Sequence, residues 1–150
     1  MNSSSVALPI EYKLENGQIN KMNAEFLSLV GQLKIINDEN FGSAFGTFVN
    51  CTEKQFAEKD DWMKASRFVN FQDYADEHSR VLSGLKTMVN QTQNGQLTFA
   101  RAWIEEQALD WFTHRGIVMD KALSNHLQSL GSGGAAQPKS NVNRKYEENA

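Results

Sequence analysis

The segment INKMNAEFLSLVGQLKIIN, residues 19–37, decides the fold of this chain. Its large apolar residues recur at alternating intervals of three and four, which places them on one side of an α-helix. They are Ile19, Met22, Phe26, Leu29, Leu33 and Ile36. This spacing is typical of the seam along which the helices of a bundle pack, and not of a strand. We therefore predict an amphipathic helix here, with one face buried against other helices.

Three further segments show helical spacing, over residues 43–68, 71–90 and 97–130. Gly42 and Gly46 are expected to mark the break before the second segment. Pro9 and Pro138 lie near the two ends, so no proline interrupts the stretch between them. Four helices joined by short loops favour antiparallel neighbours. The sequence predicts an all-α protein, an up-down-up-down four-helix bundle.

The bundle is expected to occupy residues 1–131. After it the composition changes to SGGAAQPKSNVNRKYEENA, residues 132–150, which is rich in small, polar and charged residues. This segment has too little apolar surface to offset the entropy of ordering it. We predict a disordered polar tail.

Composition excludes several classes of function. Hydrophobic residues make up 40% of the chain and charged residues 22%, as in globular proteins. The net charge of −3 gives no basic field for nucleic acid or for an anionic membrane. No apolar run approaches the roughly 18 residues of a membrane span. The N-terminus lacks the pattern of a signal peptide, and Cys51 is the only cysteine. A cytoplasmic protein is expected.

Polar residues interrupt the apolar stripes of three predicted helices at similar depth. They are Thr52, Gln55 and Lys59 in the second segment, Tyr74 and His78 in the third, and Arg115 in the fourth. Together they indicate one shared polar cluster inside the bundle. The alternatives are that such residues only fix helix register, or that the long Lys and Arg stems reach out to solvent.

The same residues carry a resemblance to bacterial hemerythrins. EHSRVLSGL, residues 77–85, resembles the third-helix signature of that family, and WFTHRGIVMDKALSNHL, residues 111–127, resembles the fourth-helix signature. QFAEKDDWM, residues 55–63, is similar to the second-helix signature. YKLENGQINKMNAEFLSLV, residues 12–30, is similar to the N-terminal arm and first helix. The resemblance implies a four-helix bundle preceded by an extended arm.

The resemblance also implies that most of the metal ligands of the family are absent from this chain. Hemerythrins hold two irons with five His, one Glu and one Asp, and carry oxygen between the metals. Carried over position by position, five of these seven ligands are replaced and two are retained. The replaced positions are Asn23, Gln55, Lys59, Tyr74 and Arg115, and the retained ones are His78 and Asp120. The chain has three histidines in all, so a site with five His is impossible within one subunit. We expect no di-iron centre and no other cofactor.

A smaller site is the remaining possibility for a metal. His78, His114 and Asp120 could form a mononuclear site only if the fourth helix slipped by one residue. Trp111 and Asp120 keep the offsets of the family signature, so no slip is expected. Arg115 is then predicted to face the bundle interior and His114 the surface. Lys59 and Arg115 are expected to replace the charge of the lost metals and to pair with Asp120.

Three functional hypotheses follow. The first is a non-enzymatic interaction or regulatory module with a protein partner, since hemerythrin relatives occur in bacterial signalling and motility systems. The second is a sensor that binds one metal or a small molecule through His78, Asp120 and Tyr74. The third, an oxygen or iron carrier, needs ligands that the chain lacks. An enzyme is least expected, because no nucleophile motif, phosphate loop or zinc spacing is present.

Overall fold

Four helices form the described part of the chain, residues 8–131 of a computed structural model. They are α1 (Gly17–Ile35), α2 (Asp38–Ala65), α3 (Phe71–Gln93) and α4, which is continuous over residues 98–130. Each helix packs against the next along the chain, and α1 also contacts α4, which closes the bundle. An arm with a 3-10 turn at Ile10–Tyr12 precedes α1. The predicted all-α four-helix bundle is confirmed. The predicted tail lies outside the described residues.

The link between α1 and α2 is shorter than predicted. Gly42 and Gly46 do not break the chain but lie inside α2, which begins at Asp38. Asn37 caps this earlier start, because its side chain accepts a hydrogen bond of 3.0 Å from the backbone N–H of Asn40. Gly42 faces α3, where an added Cβ would lie 3.6 Å from the Cβ of Thr92. The helix thus tolerates both glycines, although each costs about 1 kcal/mol in a helix interior.

The helix α4 contains two π-helical turns. It consists of α-helical Thr98–Ala102, π-helical Trp103–Gln107, α-helical Ala108–Trp111, π-helical Phe112–Gly116 and α-helical Ile117–Leu130. A π turn holds one more residue than an α turn, so residues within it point elsewhere than uninterrupted α-helical spacing predicts. The second π turn contains one predicted site residue, Arg115, and ends at Gly116, four residues before another, Asp120.

The core has two apolar layers with a polar layer between them. The larger layer contains the buried aromatic residues Phe26, Phe48, Phe56 and Phe112, and the smaller one contains Ile19, Trp62, Met63, Leu123 and Leu127. Asn23, Lys59 and Asp120 lie between these layers on α1, α2 and α4, and all three are buried. The fold therefore places buried charge at mid-height in the bundle. None of the described helices is both long and apolar enough to cross a membrane.

Candidate functional site

A buried ion pair joins α2 and α4 at the centre of the bundle. Lys59 Nζ donates a hydrogen bond of 2.9 Å to Asp120 Oδ2, and the two side chains are only 6% and 5% exposed. The predicted pairing of Lys59 with Asp120 is found in the structure. Buried charges are rare unless they are paired, and here each supplies the partner of the other. The centre is therefore a closed Lys–Asp contact.

Two amide side chains stand beside this pair. Asn23 Oδ1 lies 3.5 Å from Lys59 Nζ, at the limit of a hydrogen bond. Gln55 turns its amide nitrogen away from the pair and donates to Glu25 Oε1 at 3.2 Å and to Cys51 Sγ at 3.5 Å. Both positions correspond to histidines in the family resemblance. An amide nitrogen has no free lone pair for a metal, so these side chains offer only oxygen atoms there.

The Cys51 thiol lies beside Gln55 in the groove between α1 and α2. Burial, followed by the neighbouring Glu25 carboxylate, raises the pKa of this thiol to about 11. The thiolate is the form that attacks electrophiles and binds metals, and a raised pKa suppresses it near neutral pH. The thiol form of Cys51 is therefore favoured near neutral pH.

His78 is held from both sides. Its Nδ1 lies 2.8 Å from Asp60 Oδ1 and donates, because a carboxylate only accepts. Its ring stacks on Phe56, with centroids 4.1 Å apart and an angle of 11° between the planes. The sequence did not predict that Asp60 binds His78. The contact joins α2 to α3, and no spacing within one helix indicates it. The imidazole lines the centre in a fixed orientation.

Arg115 does not face the centre, contrary to prediction. Its side chain is 59% exposed and its Nη2 donates to Glu77 Oε1 at 3.1 Å. The second π turn shifts the phase of the helix, so that Gly116 lines the centre instead. A Cβ at Gly116 would lie 2.9 Å from Trp111 Cζ3, which shows that the indole fills the space a side chain would need.

The structure separates two other candidates from the centre. Tyr74 does not line the central cavity; its ring packs against Phe68 in the smaller apolar layer, with centroids 5.4 Å apart. His114 lies on the surface as predicted, 73% exposed, with Nδ1 3.0 Å from the carbonyl oxygen of Asp110. The proposed trio of His78, His114 and Asp120 is not brought together.

The space left at the centre is small. The cavity between Asn23, Lys59, His78, Trp111 and Asp120 has a volume of about 10 Å³. This is about the volume that a single water needs. Any larger ligand would have to displace side chains.

The residues present do not fit a dinuclear iron centre. Such a centre needs several imidazoles and bridging carboxylates, whereas this centre offers one imidazole and one carboxylate. The imidazole of His78 is already bound to Asp60, and the carboxylate of Asp120 is bound to Lys59. Over residues 8–131, no group of three or more His, Cys, Asp or Glu side chains is arranged to hold a metal ion. The ammonium of Lys59 also puts a cation where a metal would have to sit.

A second buried acid, Glu77, organises the interface between α3 and α4. Its side chain is 8% exposed and accepts four hydrogen bonds. Arg80 donates from Nε to Oε1 at 3.0 Å and from Nη2 to Oε2 at 2.7 Å. Trp111 Nε1 donates to Oε2 at 2.9 Å, and Arg115 supplies the fourth bond. These donors, Arg80 first, lower the pKa of Glu77 to about 2 against the opposing effect of burial.

Sequence reasoning missed Glu77 as well. The pair Glu77 and Arg80 has the three-residue spacing of a helical ion pair, which was the available signal. The contacts to Trp111 and Arg115 depend on the π turns of α4, and no residue pattern predicts those.

Comparison with known proteins supports the fold. No protein-family model and no solved structure matches the chain. A protein named bacteriohemerythrin from Ralstonia nicotianae is 28% identical over 109 residues, which cover 73% of this chain and 79% of that protein. The matched length is sufficient to include most of the four helices. The chain is therefore homologous to a bacteriohemerythrin over most of its length and has a hemerythrin-like four-helix bundle.

Proposed function

We propose that this chain is a hemerythrin-like bundle that has lost di-iron and oxygen binding and acts as a non-enzymatic interaction or regulatory module. One observation carries the proposal: the contact of 2.9 Å between Lys59 and Asp120 occupies the centre of the bundle. The resemblance assigns a bridging carboxylate to each of these two positions. An ammonium at one of them converts an anionic pocket into a neutral ion pair. A neutral pair does not attract a divalent cation as two carboxylates would.

The alternative of a single-metal sensor is weaker. Of its possible ligands, His78 is held by Asp60, and Asp120 is held by Lys59. His114 and Tyr74 lie away from the centre. A metal at this place would have to break the Lys59–Asp120 contact and leave the ammonium buried without a partner, which is costly.

A small-molecule sensor or an enzyme that used the centre of the bundle would need internal space there. A cavity of about 10 Å³ holds one water, while ligand pockets usually measure about 300–1,000 Å³. The charged groups at the centre are also paired with each other and lack access to a substrate. These features favour a function carried by the outer surface of the bundle.

Metal analysis tests the loss of the iron centre. The full chain is incubated anaerobically with ferrous iron, desalted, and measured for bound metal by mass spectrometry and for visible absorption after exposure to oxygen. We expect substoichiometric iron and no oxygen-dependent absorption band. Two tightly held irons per chain would overturn the proposal.

The same measurement on His78→Ala separates the two candidate functions. One equivalent of metal in the parent chain that disappears in His78→Ala would establish the single-metal sensor in place of the proposed module. Equal, substoichiometric metal in both proteins supports the module. Asp110→Asn serves as the control, since it removes a fully surface carboxylate of α4 that is distant from the centre.

A further inference from the structure

A groove of about 420 Å³ runs between α3 and α4 on the outside of the bundle. Its apolar lining includes Met88, Trp103 and Trp111, and its polar rim includes Arg80 and Arg115. We propose that this groove binds a short acidic peptide segment of a protein partner. The same segment also carries a large apolar side chain. The inference rests on the proposed interaction function and names the chemistry of the partner.

The buried Glu77 carboxylate binds Arg80 and Arg115 and so fixes the orientation of both arginines at the rim. Its four hydrogen bonds use the roughly four acceptor positions of a carboxylate, so Glu77 is saturated. Within residues 8–131, Arg80 donates hydrogen bonds to Glu77 from two of its five N–H groups, and Arg115 donates from one. The remaining N–H groups belong to side chains that are 66% and 59% exposed. Two guanidinium groups therefore face solvent, already oriented by a shared anchor.

Charge selects an anionic partner for this surface. Two arginines against one buried carboxylate leave one excess positive charge, in a chain whose net charge is −3. Asp110, 3.2 Å from His114, also lines the groove, and with His counted as neutral its carboxylate is not cancelled, so the positive charge is local to the two arginines of the rim. A planar guanidinium binds carboxylate groups with two parallel hydrogen bonds, and each such bond is stronger than a neutral one. Glu or Asp side chains of a peptide match this rim.

The floor of the groove requires an apolar side chain in the same ligand. Trp103 and Trp111 are half-buried and lie in or beside the two π turns of α4, the kind of turn that is frequent at functional sites. The indole N–H of Trp111 is bound to Glu77, so the ring is fixed next to the arginines. Tryptophan and arginine are enriched among the few residues that carry most of the binding energy in protein interfaces. A free inorganic anion would leave this floor uncovered.

The size of the groove suits a short segment. From Arg80 to Met88 the helix α3 rises about 12 Å, at 1.5 Å per residue. An extended peptide covers that distance with about four residues, at 3.3 Å each. Nucleic acid binding depends on neutralising many phosphates, and this rim offers two cations on an acidic protein. A peptide segment is the occupant that fits both the length and the charge.

The experiment begins by selecting phage-displayed random peptides on the immobilised full chain. Enriched peptides are synthesised with a fluorescein label, and their affinity is measured by fluorescence anisotropy. We expect the selected peptides to combine Asp or Glu with an aromatic or large aliphatic residue. Arg80→Ala with Arg115→Ala should weaken binding by about tenfold or more, equivalent to about 1.4 kcal/mol.

Two variants control the test. Arg80→Lys with Arg115→Lys keeps the charge but loses the planar fork, and should bind with intermediate affinity. Lys86→Ala removes a cation from another face of α3, where Lys86 pairs with Glu53 at 2.8 Å, and should bind as the parent does. Circular dichroism and the denaturation midpoint of each variant establish that it is folded.

Several results would overturn the inference. These are the absence of selected peptides, selected peptides without acidic residues, or unchanged affinity in the double Ala variant. Stronger binding of a phosphopeptide than of its Glu counterpart, or of anionic lipid vesicles, would assign the groove to another class of ligand. Iron is measured on the same preparation. Two irons per chain with intact peptide binding would refute only the loss of the iron centre, and a metal-free chain that binds no acidic peptide would refute only the groove.

Discussion

Replacing Asp120 by asparagine tests the central ion pair directly. The change keeps the shape of the side chain and removes its charge, which leaves the Lys59 ammonium buried at 6% exposure. The other acceptor near that ammonium is Asn23 Oδ1, at 3.5 Å. A pair of charges about 4 Å apart contributes about 4 kcal/mol at an effective dielectric constant of 20. Breaking a buried pair by removing one partner typically costs about 3–5 kcal/mol. We therefore expect Asp120→Asn to lower the free energy of unfolding by about 3–5 kcal/mol.

The assay is urea denaturation at neutral pH, followed by circular dichroism at the helical signal. The midpoint should fall while the slope of the transition stays unchanged, since the surface exposed on unfolding is the same. Asp110→Asn is the matched control, because Asp110 is an acid of the same helix that is 73% exposed. Its effect should be within about 0.5 kcal/mol.

A second variant separates charge from packing. Lys59→Met together with Asp120→Leu removes both charges and fills the space with apolar atoms, so it should cost far less than Asp120→Asn alone or even stabilise the bundle. The reasoning is refuted if Asp120→Asn changes stability by less than about 0.5 kcal/mol, the value for a solvated pair.

Three further predictions concern other parts of the chain. Because the pKa of Glu77 is about 2 in the fold and 4.5 unfolded, its stabilising effect is complete above about pH 4.5 and is lost as the pH falls toward 2. Glu77→Gln should lower the free energy of unfolding at pH 7 by roughly 1.5–3 kcal/mol, the range for hydrogen bonds to a charged group, because both arginine donors are more than half exposed to solvent. In urea denaturation the difference from the parent should become small near pH 2. Gly116→Ala should destabilise by about 1–3 kcal/mol, since its Cβ meets the Trp111 ring at 2.9 Å, whereas Gly84→Ala, with open space around its Cβ, should stabilise by about 0.5–1 kcal/mol; equal effects would contradict this. A chain ending at Gly131 should unfold within about one or two degrees of the full chain, and a drop of roughly 5 °C would show that residues 132–150 contribute to the fold.

The sequence predicted the elements that depend on periodic burial. The three-four spacing from Ile19 to Ile36 placed α1, and similar spacing placed the other helices to within a few residues. The predicted break at Gly42 was wrong, because packing against Thr92 in α3 decides that region, and local propensity does not. The spacing of residues within one segment cannot predict contacts with another helix.

The sequence predicted some of the central residues correctly and others wrongly. Counting along α2 placed Lys59 inward, and the match to the fourth-helix signature of the family placed Asp120 inward; both side chains are buried. Arg115 lies inside a π turn, where counting by α-helical spacing fails, and it points to the surface. The contacts of Glu77 with Arg115 and of Asp60 with His78 join different helices, so no spacing within one helix reveals them.

The packed centre also bears on whether the proposed loss of the metal site can be reversed. Lys59→Glu alone would bury a second carboxylate beside Asp120 with no cation between them, and one of the two would have to take up a proton. Gly116→His, at the position that lines the centre in place of Arg115, would drive the new side chain into the Trp111 ring, which an added Cβ already meets at 2.9 Å. Both of these single steps toward a ligand set thus lower stability before any metal affinity exists to compensate for it. The Lys59–Asp120 pair and the Trp111 ring therefore make each of these single substitutions unfavourable by itself.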